Sequence, residues 1–133
     1  MHIIKIGCGS VSWKSKKQMC ITLSSMEAEY MALCQAVKES IWMVDFLWDI
    51  GISIHNTMVI NANNQGAIAL AKNPVFHDHS KHIDIQYHFT HKLVKDGWIG
   101  LNYVPTQEMV ADILTKALPH VQHEYLAREV GLF

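Results

Sequence analysis

The longest regular pattern of apolar residues begins after Ser24. From there, apolar residues recur three or four positions apart, as they do along one face of a helix. These residues are Met26, Tyr30, Leu33, Val37, Ile41, Val44 and Trp48. Ser24 and Glu27 fit a capping box at the start, and Gly51 fits the end of a helix. The pattern therefore predicts one long helix between Ser24 and Gly51, with this apolar stripe packed in the core.

Shorter patterns predict four strands. Residues 3–6 and 10–14 lie on either side of a glycine-containing turn, which predicts a hairpin. Residues 57–62 are rich in residues that favour strands, and they predict a short buried strand. Residues 98–104 predict a further strand that is closed by Pro105.

Helix signals between and after these strands predict four more helices. They are expected at about residues 66–72, 82–95, 107–117 (capped by Thr106) and 121–130, with a polar, histidine-rich loop over residues 76–82. Strands that alternate with helices indicate an α/β fold with a mixed sheet flanked by helices. The strands at 57–62 and 98–104 should be parallel and joined by a right-handed crossover. The length of 133 residues predicts a single domain over residues 1–133.

Composition narrows the class of protein. Half of the residues are apolar, which argues against disorder. The nearest approach to a membrane span, residues 41–50, is interrupted by Asp45 and Asp49. The first residues lack the layout of a signal peptide, so we expect an intracellular protein whose three cysteines are reduced thiols. The net charge of −1 excludes a chain-wide basic field, and any polyanion site must be local.

Three residues are placed where they could provide oxygen ligands for a metal ion. Glu29 lies in the first turns of the long helix, Asn63 directly follows the strand 57–62, and Asp112 lies after the strand 98–104. Sites in open α/β sheets gather at the carboxyl ends of strands, and Mg²⁺ prefers oxygen ligands. Each residue also has an ordinary explanation. Glu29 could favour a helix N-terminus, Asp112 could pair with Lys116, and Asn63 could be a cap or a left-handed residue.

Two further groups of residues could bind ligands. Lys14, Lys16 and Lys17 could contact a nucleic-acid backbone or could simply form a solvated strand end. Trp13 beside them is expected to pack on the sheet rather than to stack on a base. Zinc is not expected at the histidines, because no cysteine or carboxylate completes a tetrahedral set with them. The histidines concerned are His77, His79, His82, His88 and His91.

Seven segments resemble motifs of copia-type retrotransposon polyproteins. They are WKSKKQ at 13–18, LSSMEAEYMAL at 23–33, NNQGAI at 63–68, NPVFH at 73–77, SKHIDI at 80–85, YVPT at 103–106 and ADILTK at 111–116. The resemblance covers essentially the whole chain, in order and with few gaps. It is therefore far more specific than any single motif.

The resemblance implies a ribonuclease H-like fold downstream of reverse transcriptase in one polyprotein. The implied activity is cleavage of the RNA strand of RNA–DNA hybrids, with two Mg²⁺ ions held by four carboxylates. By its motif, Glu29 matches the catalytic glutamate, Glu27 fits less well, and Asp112 matches the aspartate after the last strand. The implied partners are the hybrid and the reverse transcriptase domain, in the cytoplasm or in a virus-like particle.

The chain departs from this family pattern in two ways. Asn63 stands where the family has an aspartate, and the family's first strand, with a further aspartate, is not in the sequence. Only two of four carboxylates remain, so we expect weak Mg²⁺ binding and impaired cleavage. The alternative is an inactive or reused domain that binds nucleic acid or a protein partner. Without the first strand, the hairpin could pair directly with the strand 57–62, or a partner chain could fill the gap.

Overall fold

A computed structural model describes residues 1–19, 24–73 and 81–132 of the chain. The described strands are β1 (His2–Ile6), β2 (Gly9–Lys14), β3 (Met58–Ala62) and β4 (Ile99–Tyr103). The α-helices are α1 (Ser25–Asp49), α2 (Gln65–Lys72), α3 (Lys81–Lys95) and α4 (His120–Val130). Two short 3-10 helices cover Thr106–Glu108 and Val110–Leu114. The predicted α/β class is confirmed, and no described helix is both long and apolar enough to cross a membrane.

The chain divides into two compact units. A central unit comprises Thr22–Tyr103, and a terminal unit combines Met1–Ile21 with Val104–Phe133. The terminal unit therefore joins the two ends of the chain. The single domain expected from the length stays a prediction, and each unit is described by itself.

The central unit is built on a two-stranded parallel sheet. β3 and β4 pair in register from Met58 opposite Ile99 to Ala62 opposite Tyr103, which confirms the predicted parallel arrangement. The prediction that the strand over 57–62 is buried is wrong, because no residue of β3 is buried and Val59 is 64% exposed. Among the described strands, β3 has a partner on one side only, and alternate side chains point away from the core.

Helices α1, α2 and α3 enclose the core of the central unit. Its buried residues are Tyr30, Met31, Leu33, Cys34, Ala67, Ala71 and Tyr87, with Ile60, Ala62, Leu70 and Leu101 packed against them. The middle of the apolar stripe on α1 is buried as predicted, at Tyr30, Leu33 and Val37. Its two ends are not, because Met26 is 39% and Trp48 62% exposed. The stripe is longer than the surface on which α1 packs.

The terminal unit holds the hairpin, the second 3-10 helix and α4. β1 and β2 pair antiparallel as predicted, and Gly7 takes the positive φ of 62° that the connecting turn requires. Leu126 and Ala127 of α4 are buried. The hydroxyl of Ser10 donates a 2.7 Å hydrogen bond to the carbonyl of Val130, which ties the hairpin to the end of α4.

Several further expectations about the fold differ from the structure. The described residues form two separate two-stranded sheets, not one mixed sheet, and the hairpin shares no ladder with β3. The helix expected over 107–117 is replaced by the two 3-10 helices, because Met109 is extended (φ −73°, ψ 100°) and interrupts it. Thr106 does not cap, since Pro105 occupies the N-cap position. Most of the predicted histidine-rich loop lies outside the described residues, and His82 already belongs to α3.

Candidate functional site

The first turns of α1 and α2 lie against each other in the central unit. At α1, the Ser24 hydroxyl accepts a hydrogen bond from the backbone N–H of Glu27 at 3.2 Å. At α2, the Asn64 side-chain oxygen accepts from the N–H of Ala67 at 3.0 Å. A Cβ atom on Gly66 would lie only 2.8 Å from the sulfur of Met26. The two capped helix starts therefore approach each other closely, and a larger residue at position 66 would require the Met26 side chain to shift.

Glu29 and Asn63 belong to the two segments that this contact joins. Glu29 follows Met26 by three residues, so both lie on the same side of α1, and Glu29 is exposed. Asn63 is partly buried and directly follows the last residue of β3. It neither caps α2, a role taken by Asn64, nor adopts a positive φ. The structure thus leaves the Asn63 amide without the ordinary roles considered for it.

This end of the central unit carries little negative charge. Asn63 is neutral, and helix N-termini carry a positive partial charge that favours anions. Glu29 supplies one exposed carboxylate, while the neighbouring Glu27 is buried near the cap of α1. A single exposed carboxylate beside two helix N-termini is a poor environment for a divalent cation.

Asp112 lies in the terminal unit, on the second 3-10 helix, and is completely buried. Its Oδ2 atom lies 2.7 Å from the ammonium nitrogen of Lys116, which confirms the simple pairing considered for these residues. Its Oδ1 atom has no hydrogen-bond partner among the described residues. One oxygen of the carboxylate is therefore paired with a cation of its own segment.

Within each unit, the described residues do not gather the ligands of a two-metal centre. No three histidine, cysteine, aspartate or glutamate side chains come together anywhere in the described ranges. Mg²⁺ needs several oxygen ligands in near-octahedral geometry, and its affinity depends on their charge. The unpaired Oδ1 of Asp112 and the exposed carboxylate of Glu29 could each provide one metal ligand. In neither unit do the described residues place further acidic, histidine or cysteine ligands around it.

The basic run lies at the end of β2 in the terminal unit. Lys14 is the last residue of β2, Lys16 and Lys17 follow it, and all three are exposed. Trp13 is 65% exposed, so the expectation that it packs on the sheet is wrong. β2 belongs to a two-stranded sheet, and the described residues leave most of the Trp13 side chain uncovered. An exposed indole next to three lysines is available for stacking on a base.

The central unit contains a buried cluster of side chains with polar atoms that was not predicted from the sequence. The rings of Tyr30 and Tyr87 stack with centroids 4.3 Å apart, and the Tyr30 hydroxyl donates to the Tyr87 carbonyl at 3.4 Å. The Thr90 hydroxyl donates to the Cys34 sulfur at 3.2 Å. Burial raises the pKa of both the Tyr30 phenol and the Cys34 thiol. The i,i+4 spacing of Tyr30 and Cys34 could have indicated this cluster from the sequence. It was missed because Tyr30 also belongs to the apolar stripe, which was interpreted only as core packing.

Comparison with known proteins identifies the relatives of the chain. It is 39% identical over 131 residues to the retrovirus-related Pol polyprotein from transposon TNT 1-94 of Nicotiana tabacum. It is 37% identical, again over 131 residues, to the corresponding polyproteins from transposons RE2 and RE1 of Arabidopsis thaliana. The chain is homologous to a segment of retrotransposon Pol polyproteins. Each match covers 98% of the chain.

The homology concerns a small part of these long polyproteins. The chain spans about a tenth of the length of the relatives it matches, 10% of the first and 9% of the other two. No protein-family model matches the chain. No solved structure matches it either. The comparisons therefore establish homology to a segment of Pol polyproteins and leave the role of this segment to be inferred from its residues.

Proposed function

We propose that this chain is the ribonuclease H-like part of a retrotransposon Pol polyprotein, and that it binds RNA–DNA hybrids but has lost most cleavage of their RNA strand. The homology to Pol polyproteins over 98% of the chain supports the assignment to this part of the replication machinery. The observation that carries the loss of cleavage is the neutral amide of Asn63 at the end of β3. In this proposal, the reverse transcriptase of the same polyprotein would supply the hybrid.

The loss of cleavage follows from charge and pairing. In this class of reaction, two Mg²⁺ ions hold the attacking and leaving oxygens of the phosphoryl displacement. Asn63 retains a carbonyl oxygen but lacks the negative charge of an aspartate. Asp112 is an acidic residue, but one of its carboxylate oxygens is paired with the Lys116 ammonium group at 2.7 Å. Glu29 is then the one acidic residue among these three expected ligands that is exposed, so Mg²⁺ binding should be weak.

Binding of nucleic acid depends on a different part of the chain. Lys14, Lys16 and Lys17 form an exposed basic segment that can neutralise phosphates, and Trp13 offers an exposed ring beside it. With a net charge of −1, the chain has no general attraction for polyanions, so binding should depend strongly on this segment.

Binding is tested by titrating a fluorescent RNA–DNA hybrid with the full chain at several salt concentrations. Replacing Lys14, Lys16 and Lys17 by glutamine should weaken binding and reduce the magnitude of the log–log salt slope by about 2. The matched control replaces the exposed Lys72, Lys92 and Lys95 of the central unit, which changes the net charge equally. Equal losses in the two triple variants would show that the basic segment is not the binding surface.

Cleavage is tested with the same hybrid, labelled on the RNA strand, in millimolar Mg²⁺. The unmodified chain should leave the RNA intact, and Asn63→Asp should raise any residual cleavage because it returns a charged ligand. Glu29→Gln should leave binding of the hybrid unchanged. Efficient cleavage by the unmodified chain that Glu29→Gln abolishes would refute the proposed loss of activity.

A further inference from the structure

The second half of α1 carries an exposed stripe of alternating aromatic and acidic residues. Trp42, Asp45, Phe46 and Asp49 follow the spacing i, i+3, i+4 and i+7, which places them on one face of the helix. Trp42 is 57% and Phe46 45% exposed, and their rings stack with centroids 5.6 Å apart and planes 12° apart. Both aspartates are exposed. We call these four residues the aromatic–acidic stripe.

The charge of this stripe is unfavourable for the helix alone. Asp49 is the last residue of α1, Asp45 lies one turn before it, and the last turn contains no basic residue. A helix C-terminus already carries negative partial charge, and like charges at i,i+4 repel. Along the same face the nearest cation is Lys38, one turn before Trp42. Neither packing of the core nor stability of the helix accounts for this arrangement.

We infer that the aromatic–acidic stripe docks a cationic polypeptide segment, with an arginine side chain as its main contact. A guanidinium group can stack on the exposed face of Trp42 and at the same time form charge-assisted hydrogen bonds with Asp45 or Asp49. The stacked rings provide the apolar area, and the carboxylates select for positive charge. Nucleic acid is disfavoured, because phosphates would meet two carboxylates and the negative end of a helix.

The relatives indicate where such a segment can come from. They are about ten times as long as this chain, so other parts of the same type of polyprotein are available as neighbours. The stripe lies in the central unit, whereas the lysines and Trp13 assigned to nucleic acid lie in the terminal unit. The protein-binding surface and the nucleic-acid surface are thus separate sets of residues with opposite charge, and this inference does not depend on the proposed binding of hybrids.

Binding is tested on the full chain labelled with ¹⁵N-tryptophan and titrated with an amidated hexa-arginine peptide. The four tryptophans give four indole signals, which single Trp→Phe variants assign. The Trp42 signal should shift and saturate, while the signal of Trp98, 67% exposed in another part of the central unit, should not move. Hexa-lysine should bind more weakly, since an ammonium group cannot stack as a plane.

Matched variants decide whether the shift reports this stripe. Asp45→Asn with Asp49→Asn should weaken binding of hexa-arginine by about tenfold, because both charged acceptors are lost. Asp96→Asn with Glu108→Gln removes the same charge at exposed positions elsewhere and should leave binding unchanged. Equal weakening in the two double variants, or no saturable shift of Trp42, would overturn the inference.

Other occupants give distinct results that would also overturn it. A Trp42 shift caused by a single-stranded oligonucleotide, and not by hexa-arginine, would assign the stripe to nucleic acid. A Trp42 shift that grows with protein concentration without peptide would assign it to a second copy of the chain. In either case the cationic segment would be the wrong partner.

Discussion

The two units of the chain bury their residues in different ways. The central unit packs three helices on a parallel sheet and encloses a largely apolar core with a stacked tyrosine pair. The buried residues among those described in the terminal unit are His2, Asp112, Leu126 and Ala127. Side-chain hydrogen bonds such as Ser10 to Val130 hold its hairpin to α4. One unit depends mainly on packing, whereas the other depends on packing, hydrogen bonds and the ion pair between the buried Asp112 and the exposed Lys116.

This difference explains why Glu29, Asn63 and Asp112 are not equally suited to bind a metal ion. In the central unit Glu29 is exposed and Asn63 is neutral, so this end is open but weakly charged. In the terminal unit Asp112 is completely buried, a buried carboxylate must be paired, and Lys116 pairs it. An acidic residue that is retained at a motif position can therefore have one of its oxygens paired within its own segment, which leaves less of its negative charge for a metal ion.

The largest expected effect is the loss of the stacked pair in the central unit. Tyr87→Ala removes a ring that is 7% exposed and should lower the free energy of unfolding by about 3–5 kcal/mol. Tyr125→Ala in α4, where the ring is 49% exposed, is the control and should cost less than about 1 kcal/mol. Urea denaturation measures both, and amide exchange should show the loss in α1 and α3. Equal costs would remove the contrast between the units.

A smaller effect is expected from the ion pair of the terminal unit. Lys116→Met leaves the buried carboxylate of Asp112 uncompensated and should cost about 2–3 kcal/mol, less than a fully buried pair because Lys116 is 44% exposed. The control is His120→Ala, which breaks the exposed pair with Glu124 and should cost under about 0.5 kcal/mol. Thermal or urea unfolding compares the two. A neutral Lys116→Met would mean that Asp112 has another partner.

The smallest effect is a dependence of stability on alkaline pH. Burial raises the pKa of the Cys34 thiol above its ordinary value of 9.0. Above that pH the unfolded thiol loses its proton while the folded one keeps it, so the unfolded state binds fewer protons and stability falls as pH rises. The contribution is at most about 1.4 kcal/mol per pH unit.

This pH dependence is isolated by substitution of single thiols. Cys34→Ser keeps an acceptor for Thr90 but removes the titrating group, so its stability should fall less steeply between pH 9 and 10 than that of the unmodified chain. Cys8→Ser, at an exposed thiol in the hairpin turn, should keep the original slope. The Tyr30 phenol, whose pKa burial also raises, contributes at higher pH in every variant. Identical slopes for all three proteins would rule out the thiol as the source.

Local signals in the sequence predicted most of the elements. Ser24, the spacing of Tyr30, Leu33 and Val37, and the glycine at 51 defined α1 almost to the residue. The glycine turn predicted the hairpin, and β3 and β4 were predicted as parallel strands. The helix over 107–117 was wrong, because the extended Met109 breaks a segment whose residues individually tolerate a helix. Helix propensity is a weak guide where the surrounding structure holds one residue of a segment in a non-helical conformation.

The candidate site was only partly predictable. Motif matches located Glu29, Asn63 and Asp112, and the spacing of Asp112 and Lys116 indicated their pairing. The sequence could not tell that Asn64, and not Asn63, caps α2, since both are good capping residues. Nor could it tell that Trp13 is exposed, because exposure depends on which element covers a strand.

By itself, the sequence determined which segments become helices and strands, how most helices begin and end, and the kinship with Pol polyproteins. These features follow from interactions between residues close together in the sequence or from matches to known motifs. Both depend only on the order of the residues in the chain. Only the tertiary structure decided the burial of Asp112, the close approach of Gly66 to Met26 and the exposure of the aromatic–acidic stripe on α1. Burial and close contact arise between residues far apart in the chain, and they set the dielectric and the partners that determine what a carboxylate can do.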